Sequence, residues 1–114
     1  MTFQCECIDA NGVRQVNLSG RLDSATSGDF EKHMQTLFAS SGAKALMDFS
    51  SVDYISSAGL RVVLMAAKRA RQAQGRLVLC GLRPHVREVF EISGFLKILT
   101  VADDPSAALS HFDA

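Results

Sequence analysis

The alternation of strand and helix is clearest in residues 45–67, which read ALMDFSSVDYISSAGLRVVLMAA. Residues 45–49 are apolar apart from one aspartate, a pattern typical of strands buried on both faces of a sheet. Residues 50–56 are rich in polar side chains and predict a loop. From Ser57 onward, apolar residues recur at helical spacing. The residues predicted to face inward are Leu60, Val63, Leu64 and Ala67.

Similar patterns precede this stretch. Apolar and polar residues alternate over 13–22, which predicts a strand, and residues 3–8 should pair with it through a turn at Asn11-Gly12. Residues 23–27 are candidate helix caps, and apolar residues at helical spacing follow as far as Ser41-Gly42.

After the helix, residues 77–80 form a second apolar run, Pro84 and Gly94 mark the start and end of a helix, and residues 98–101 predict a last strand. The final helix opens at Asp103-Asp104-Pro105. The predicted order is β-β-α-β-α-β-α-β-α, an α/β fold with a small, mixed but mostly parallel sheet of about five strands and about four helices.

Length and composition narrow the function classes. The chain has 114 residues, 47% of them apolar, which suits one globular domain spanning 1–114. Its 12 basic and 12 acidic residues balance, which argues against nucleic-acid binding. The sequence contains no run long enough to insert in a membrane and no signal peptide at its start, so we expect a cytoplasmic protein.

Residues that could carry catalysis are scattered. The three histidines lack ligand spacing, and the Cys-x-Cys pair at Cys5 and Cys7 has no second pair to complete a metal site. On a strand these two cysteines would share one face, where we interpret them as small apolar side chains. The sequence therefore predicts no catalytic residue, no metal and no cofactor.

Ser56 and Ser57 stand where the central helix begins. One interpretation is that they cap the helix, each hydroxyl accepting a hydrogen bond from an N–H one turn in. The other is phosphorylation, because the free N–H groups and positive dipole end of a helix N-terminus favour a phosphate. The outer side of the helix offers a docking surface at Arg61, Val62 and Met65, unless a neighbouring element covers it.

Several stretches together resemble the STAS domain of anti-sigma factor antagonists, and the resemblance extends over nearly the whole chain. They are DFSSVDYISSAGLRVVL at 48–64, LSGRLD at 18–23, LVLCGL at 77–82 and VREVFEISG at 86–94. The resemblance implies a small sheet flanked by helices in the order given above.

It also implies partner switching. Such an antagonist binds an anti-sigma factor that is also a serine kinase, is phosphorylated on one serine, and is reset by a serine phosphatase. Alignment on Gly59 and Leu60 places that serine at Ser57, with Ser56 as a rival. The chain departs from the typical motif in having Ser56 in place of an acidic residue and Ala58 after the phosphoacceptor.

The resemblance and the pattern of the outer helix face together predict a set of partner-binding residues: Asp23, Ser56, Ser57, Gly59, Arg61, Val62 and Met65. For Asp23, a structural role as the cap of the first helix is an equal alternative. Two other functions stay open, an accessory STAS subunit of an ABC-type phospholipid transporter and a module that senses a small ligand or nucleotide.

Overall fold

The computed structural model describes residues 3–10, 12–39 and 41–112. The strands are β1 (Gln4–Ala10), β2 (Val13–Leu22), β3 (Lys44–Ile55), β4 (Arg76–Cys80) and β5 (Thr100–Ala102). The helices are α1 (Ser27–Leu37), α2 (Ser57–Gln72), α3 (Pro84–Ile92) and α4 (Pro105–Ser110), with a 3-10 helix at Phe95–Lys97. This order confirms the predicted one.

The sheet has the strand order β1-β2-β3-β4-β5. The pair β1 and β2 is antiparallel, and every other neighbouring pair is parallel, so the sheet is mixed but mostly parallel, as predicted. In the hairpin, Cys5 lies opposite Leu18 and Cys7 opposite Val16, which places both cysteines on one face. Asn11 of the predicted turn lies outside the described residues.

Helices cover the two faces of the sheet unequally. Buried residues of α1, α2 and α3 form one cluster with Met47 and Leu79, whereas Leu46 and Val78 point the other way, toward α4. This alternation is what a strand buried on both faces requires. Within the described residues, no helix is long and apolar enough to cross a membrane.

The prediction of a loop at residues 50–56 is wrong, because β3 continues to Ile55. Beyond Asp48, where its pairing with β4 ends, β3 stays paired with β2, from Ser51 opposite Ser19 to Ile55 opposite Leu22. Irregularities in the register accompany this extension. Ser50 and Ser51 are exposed and Asp53 is partly exposed, while Val52 and Ile55 are buried.

The last strand also differs from the prediction of 98–101. The chain turns at Gly94, whose φ of 77° lies in the left-handed region, and the 3-10 helix follows. The Ile98 N–H donates to the Phe95 carbonyl, so Ile98 belongs to this turn and its side chain is exposed. The opening of the final helix is confirmed: Asp104 accepts a hydrogen bond of 2.8 Å from the Ala107 N–H.

Candidate functional site

The predicted site lies where β2 and β3 end and α2 begins. Leu22 pairs with Ile55 in the sheet, and the Leu22 carbonyl accepts a 2.8 Å hydrogen bond from the Ser56 N–H. The Ser56 carbonyl then accepts the first bond of the helix, 2.9 Å from the Leu60 N–H. The strand ends thus fix the position and direction of the start of α2.

The two serines differ in accessibility. Ser56 occupies the cap position in an extended conformation, and Ser57 is the first helical residue and is exposed. The Ser56 Oγ is buried and has no hydrogen-bond partner among the described residues. The interpretation of these serines as side-chain caps is wrong, since the cap residue makes no such hydrogen bond. The first N–H groups of α2 lack partners within the helix, as at any helix N-terminus.

Asp23 organises the turn between β2 and α1. Its Oδ1 accepts hydrogen bonds from the N–H groups of Ala25, at 3.0 Å, and Thr26, at 3.3 Å. Partial desolvation raises the pKa of Asp23, but these bonds and Arg21 outweigh it and hold the pKa below its usual value. The cap position of α1 belongs to Thr26, so the prediction that Asp23 caps this helix is wrong.

Arg21 and Tyr54 join the site although the sequence analysis did not select them. They pair across β2 and β3, and the Arg21 guanidinium lies over the Tyr54 ring, 4.3 Å from its centroid. Arg21 also forms a 3.4 Å ion pair with Asp23. Tyr54 is 40% exposed, two residues before Ser56. The signal available in the sequence was an aromatic residue so close to the serines, since aromatic residues are enriched at interfaces.

A second contact attaches α3 to the extension of β3. Arg83, just before α3, donates from Nη1 to the Asp53 Oδ1 at 2.8 Å and from Nε to the Ser50 carbonyl at 2.9 Å. His85 Nε2 lies 2.5 Å from the Asp53 carbonyl oxygen. These contacts hold the polar residues of β3 in place. They join residues about 30 positions apart, so sequence spacing gave no sign of them.

Fewer residues are exposed on the outer side of α2 than predicted. Val62 is only 3% exposed, so its placement on the partner surface is wrong. Met65 is half-buried, and Arg61 is exposed as predicted. The buried residues of α2 are Gly59, Leu60, Val62, Val63, Ala66 and Ala70. Relative to the prediction, the covered stripe is rotated: Val62 belongs to the same core cluster as the buried residues of α1, which packs beside α2.

Gly59 is buried and serves packing, which contradicts its prediction as a partner contact. A Cβ at this position would lie 2.7 Å from the Leu22 carbonyl oxygen and 2.9 Å from the Ile55 Cγ1. Only a residue without a side chain lets the first turn of α2 approach the strand ends so closely.

We expect Gly59→Ala to lower the free energy of unfolding by about 1–3 kcal/mol, since the new methyl group must displace backbone. The matched control is Gly28→Ala in α1, where a Cβ meets nothing within 4 Å. That change should stabilise by about 0.5–1 kcal/mol, through helix propensity. Urea denaturation followed by circular dichroism measures both. Equal shifts of the same sign would contradict the close-approach argument.

The thiols of Cys5 and Cys80 are poor nucleophiles, because their pKa values are raised. Burial raises the pKa of Cys5 to about 12, with a further contribution from Cys7. Burial also raises the pKa of Cys80 to about 12, with the carboxylates of Asp48 and Asp104 adding to the effect. No group of three metal-ligating side chains occurs among residues 3–10, 12–39 and 41–112.

Known proteins are similar to this chain in sequence and in fold. The family model described as "Mlab, STAS domain" matches residues 8–100. BtrV of Bordetella bronchiseptica, assigned as an anti-sigma factor antagonist, is 50% identical over 102 residues, covering 90% of this chain and 88% of BtrV.

Solved structures agree. An anti-sigma factor antagonist from Mycobacterium paratuberculosis matches with a TM-score of 0.90 at 21% identity, covering 99% of this chain and 96% of its own. The Bacillus cell fate determinant SpoIIAA in its phosphorylated form matches with a TM-score of 0.69 at 22% identity, covering 97% and 99%. The chain belongs to the STAS-domain family of anti-sigma factor antagonists.

Proposed function

We propose that this chain is an anti-sigma factor antagonist that works by partner switching. In its unphosphorylated form it binds an anti-sigma factor that is also a serine kinase. The kinase phosphorylates Ser57, the complex separates, and a serine phosphatase restores the binding form. The 50% identity to BtrV supports the first part of this proposal, and the phosphorylated form of SpoIIAA shows that such a fold can carry a phosphate.

The observation that carries the choice of Ser57 is the difference between the two hydroxyls. Ser57 is exposed at the first position of α2, where a kinase can reach it, whereas the Ser56 Oγ is buried. The first turn of α2 contains no acidic residue that would repel a phosphate. Its unpaired N–H groups and the helix dipole would stabilise the phosphate instead.

The chemistry assigned to this chain is that of an acceptor, not of a catalyst. The Ser57 Oγ would attack the γ-phosphorus of ATP held by the kinase, and the bond from that phosphorus to the β-phosphate oxygen would break. A base on the kinase takes the hydroxyl proton. The site residues of this chain position the hydroxyl and contact the partner. A circuit of this kind implies a cytoplasmic location.

The acceptor is tested by incubating the protein with its partner kinase and ATP and measuring the intact mass. We expect one phosphate on the wild type and on Ser56→Ala, and none on Ser57→Ala. Ser56→Ala is the matched control, because it removes the adjacent hydroxyl. Phosphorylation of Ser57→Ala to the wild-type extent would overturn the assignment.

The partner itself is found by affinity capture with Ser57→Ala and Ser57→Asp as paired baits. We expect a protein with serine-kinase activity to bind the alanine bait and to be depleted on the aspartate bait. Capture of an ABC-type ATPase by both baits would instead favour a transporter subunit.

A further inference from the structure

A groove separates α2 from the segment that leads into β5, away from the serines. Its volume is about 560 Å³, within the range of about 300–1,000 Å³ found for small-molecule sites. One wall is α2, from Arg61 to Arg71, and the other is formed by Ile98 and Leu99. Leu77, at the start of β4, also lines the groove.

The groove exists because small residues face it. Ala67 and Ala70 on α2 and Gly75 after it line the cavity where longer side chains would fill it. The larger apolar residues that line the groove, including Leu64 and Met65, carry no aromatic ring and are only partly buried. No aromatic side chain lines the groove among the described residues, which disfavours a stacked nucleobase.

The charge of the groove has one sign. Four cations line it, Arg61, Lys68, Arg71 and Arg76, and none of them forms an ion pair within the part of the chain that the structure describes. No carboxylate or histidine is among its lining residues in the described ranges. Cations in the last turn of α2 also complement the helix dipole, but the dipole does not explain the aliphatic cavity beside them.

We propose that this groove binds a single-chain amphiphilic anion, an alkyl chain that carries a phosphate or carboxylate. The alkyl chain lies between the two walls, against the side chains of Leu64, Leu77 and Leu99. The head group contacts Lys68 and Arg71. This inference does not rest on the proposed function. Because Arg61 lies one turn from Ser57, an occupied groove reaches the helix that carries the phosphoacceptor.

The test is a titration of the ¹⁵N-labelled protein with decyl phosphate, below the concentration at which micelles form, followed by amide chemical shifts. We expect saturable shifts at Leu64, Lys68 and Leu77. Decanol, which has the chain without the charge, and inorganic phosphate, which has the charge without the chain, should each bind at least about tenfold more weakly.

The variant is Lys68→Ala with Arg71→Ala, and we expect it to weaken decyl phosphate binding by about tenfold. The matched control is Lys32→Ala with Arg69→Ala, which removes the same charge from residues that do not line the groove. Three results would overturn the proposal: no saturable shift, equal weakening by both double variants, or inorganic phosphate binding as tightly as decyl phosphate. Shifts of the same amides with protein concentration alone would assign the groove to a second copy of the chain.

Discussion

Replacing Phe49 by alanine should lower the free energy of unfolding by about 3–5 kcal/mol. Phe49 is fully buried in β3 and meets Phe90 of α3 edge to face, with 5.9 Å between ring centroids and 87° between ring planes. The change removes this pair and leaves a cavity under α3. Since the free energy of unfolding of a native protein is only about 5–15 kcal/mol, much of the stability would be lost.

Urea denaturation followed by circular dichroism measures this loss. Phe49→Leu keeps much of the apolar volume, so its free energy of unfolding should lie between those of the wild type and Phe49→Ala. This variant keeps the prediction testable if Phe49→Ala does not fold. The control is Ile92→Ala on α3, where the side chain is 79% exposed, and we expect a change within about 0.5 kcal/mol. A loss from Phe49→Ala no larger than that of the control would contradict the packing described for β3 and α3.

Under the proposed function, phosphorylation of Ser57 should lower the affinity for the anti-sigma factor by at least about 100-fold. The phosphate adds about −1.5 to −2 charges at neutral pH. On partner binding, those charges would have to be desolvated at the start of α2, where Arg21, Asp23 and Tyr54 lie close together. Isothermal titration calorimetry with purified phosphorylated and unphosphorylated protein measures the difference.

The fold should survive the modification, because the N–H groups at the start of α2 can donate hydrogen bonds to the phosphate. Thermal unfolding of the two forms should therefore differ little. The control is Ser57→Ala, which cannot take a phosphate and should bind the anti-sigma factor within about threefold of wild type. Full affinity of the phosphorylated protein, or its unfolding on phosphorylation, would contradict this mechanism.

Much of the fold was predictable because the signals are local. Strand and helix periodicities occupy neighbouring residues, so the element order followed from the sequence, and so did the start of α2 at Ser57. The boundaries were less predictable. Residues 50–56 are rich in polar side chains, and pairing with β2 makes 51–55 part of a strand. Ile98 is apolar, but the turn after Gly94 leaves it outside β5.

The candidate site also has features that the sequence predicts and features that only the tertiary structure shows. Adjacent serines at the start of a helix are visible in the sequence, and so is the exposed Arg61. Which hydroxyl is accessible, the contact of Arg21 with Tyr54, and the ion pair of Arg83 with Asp53 depend on strands and helices meeting in space.

Val62 is the clearest example of why the site was only partly predictable. Helical spacing gives the residues that share a face of α2, but the covered faces depend on which neighbours pack there. α1 packs beside α2, and Val62 is buried in the core cluster that also holds residues of α1, whereas small residues leave a groove open at Leu64 and Ala67. The sequence by itself determined the order of elements and the place of Ser57. The tertiary structure alone decided which sides of α2 are free to bind, because burial is a property of two surfaces in contact.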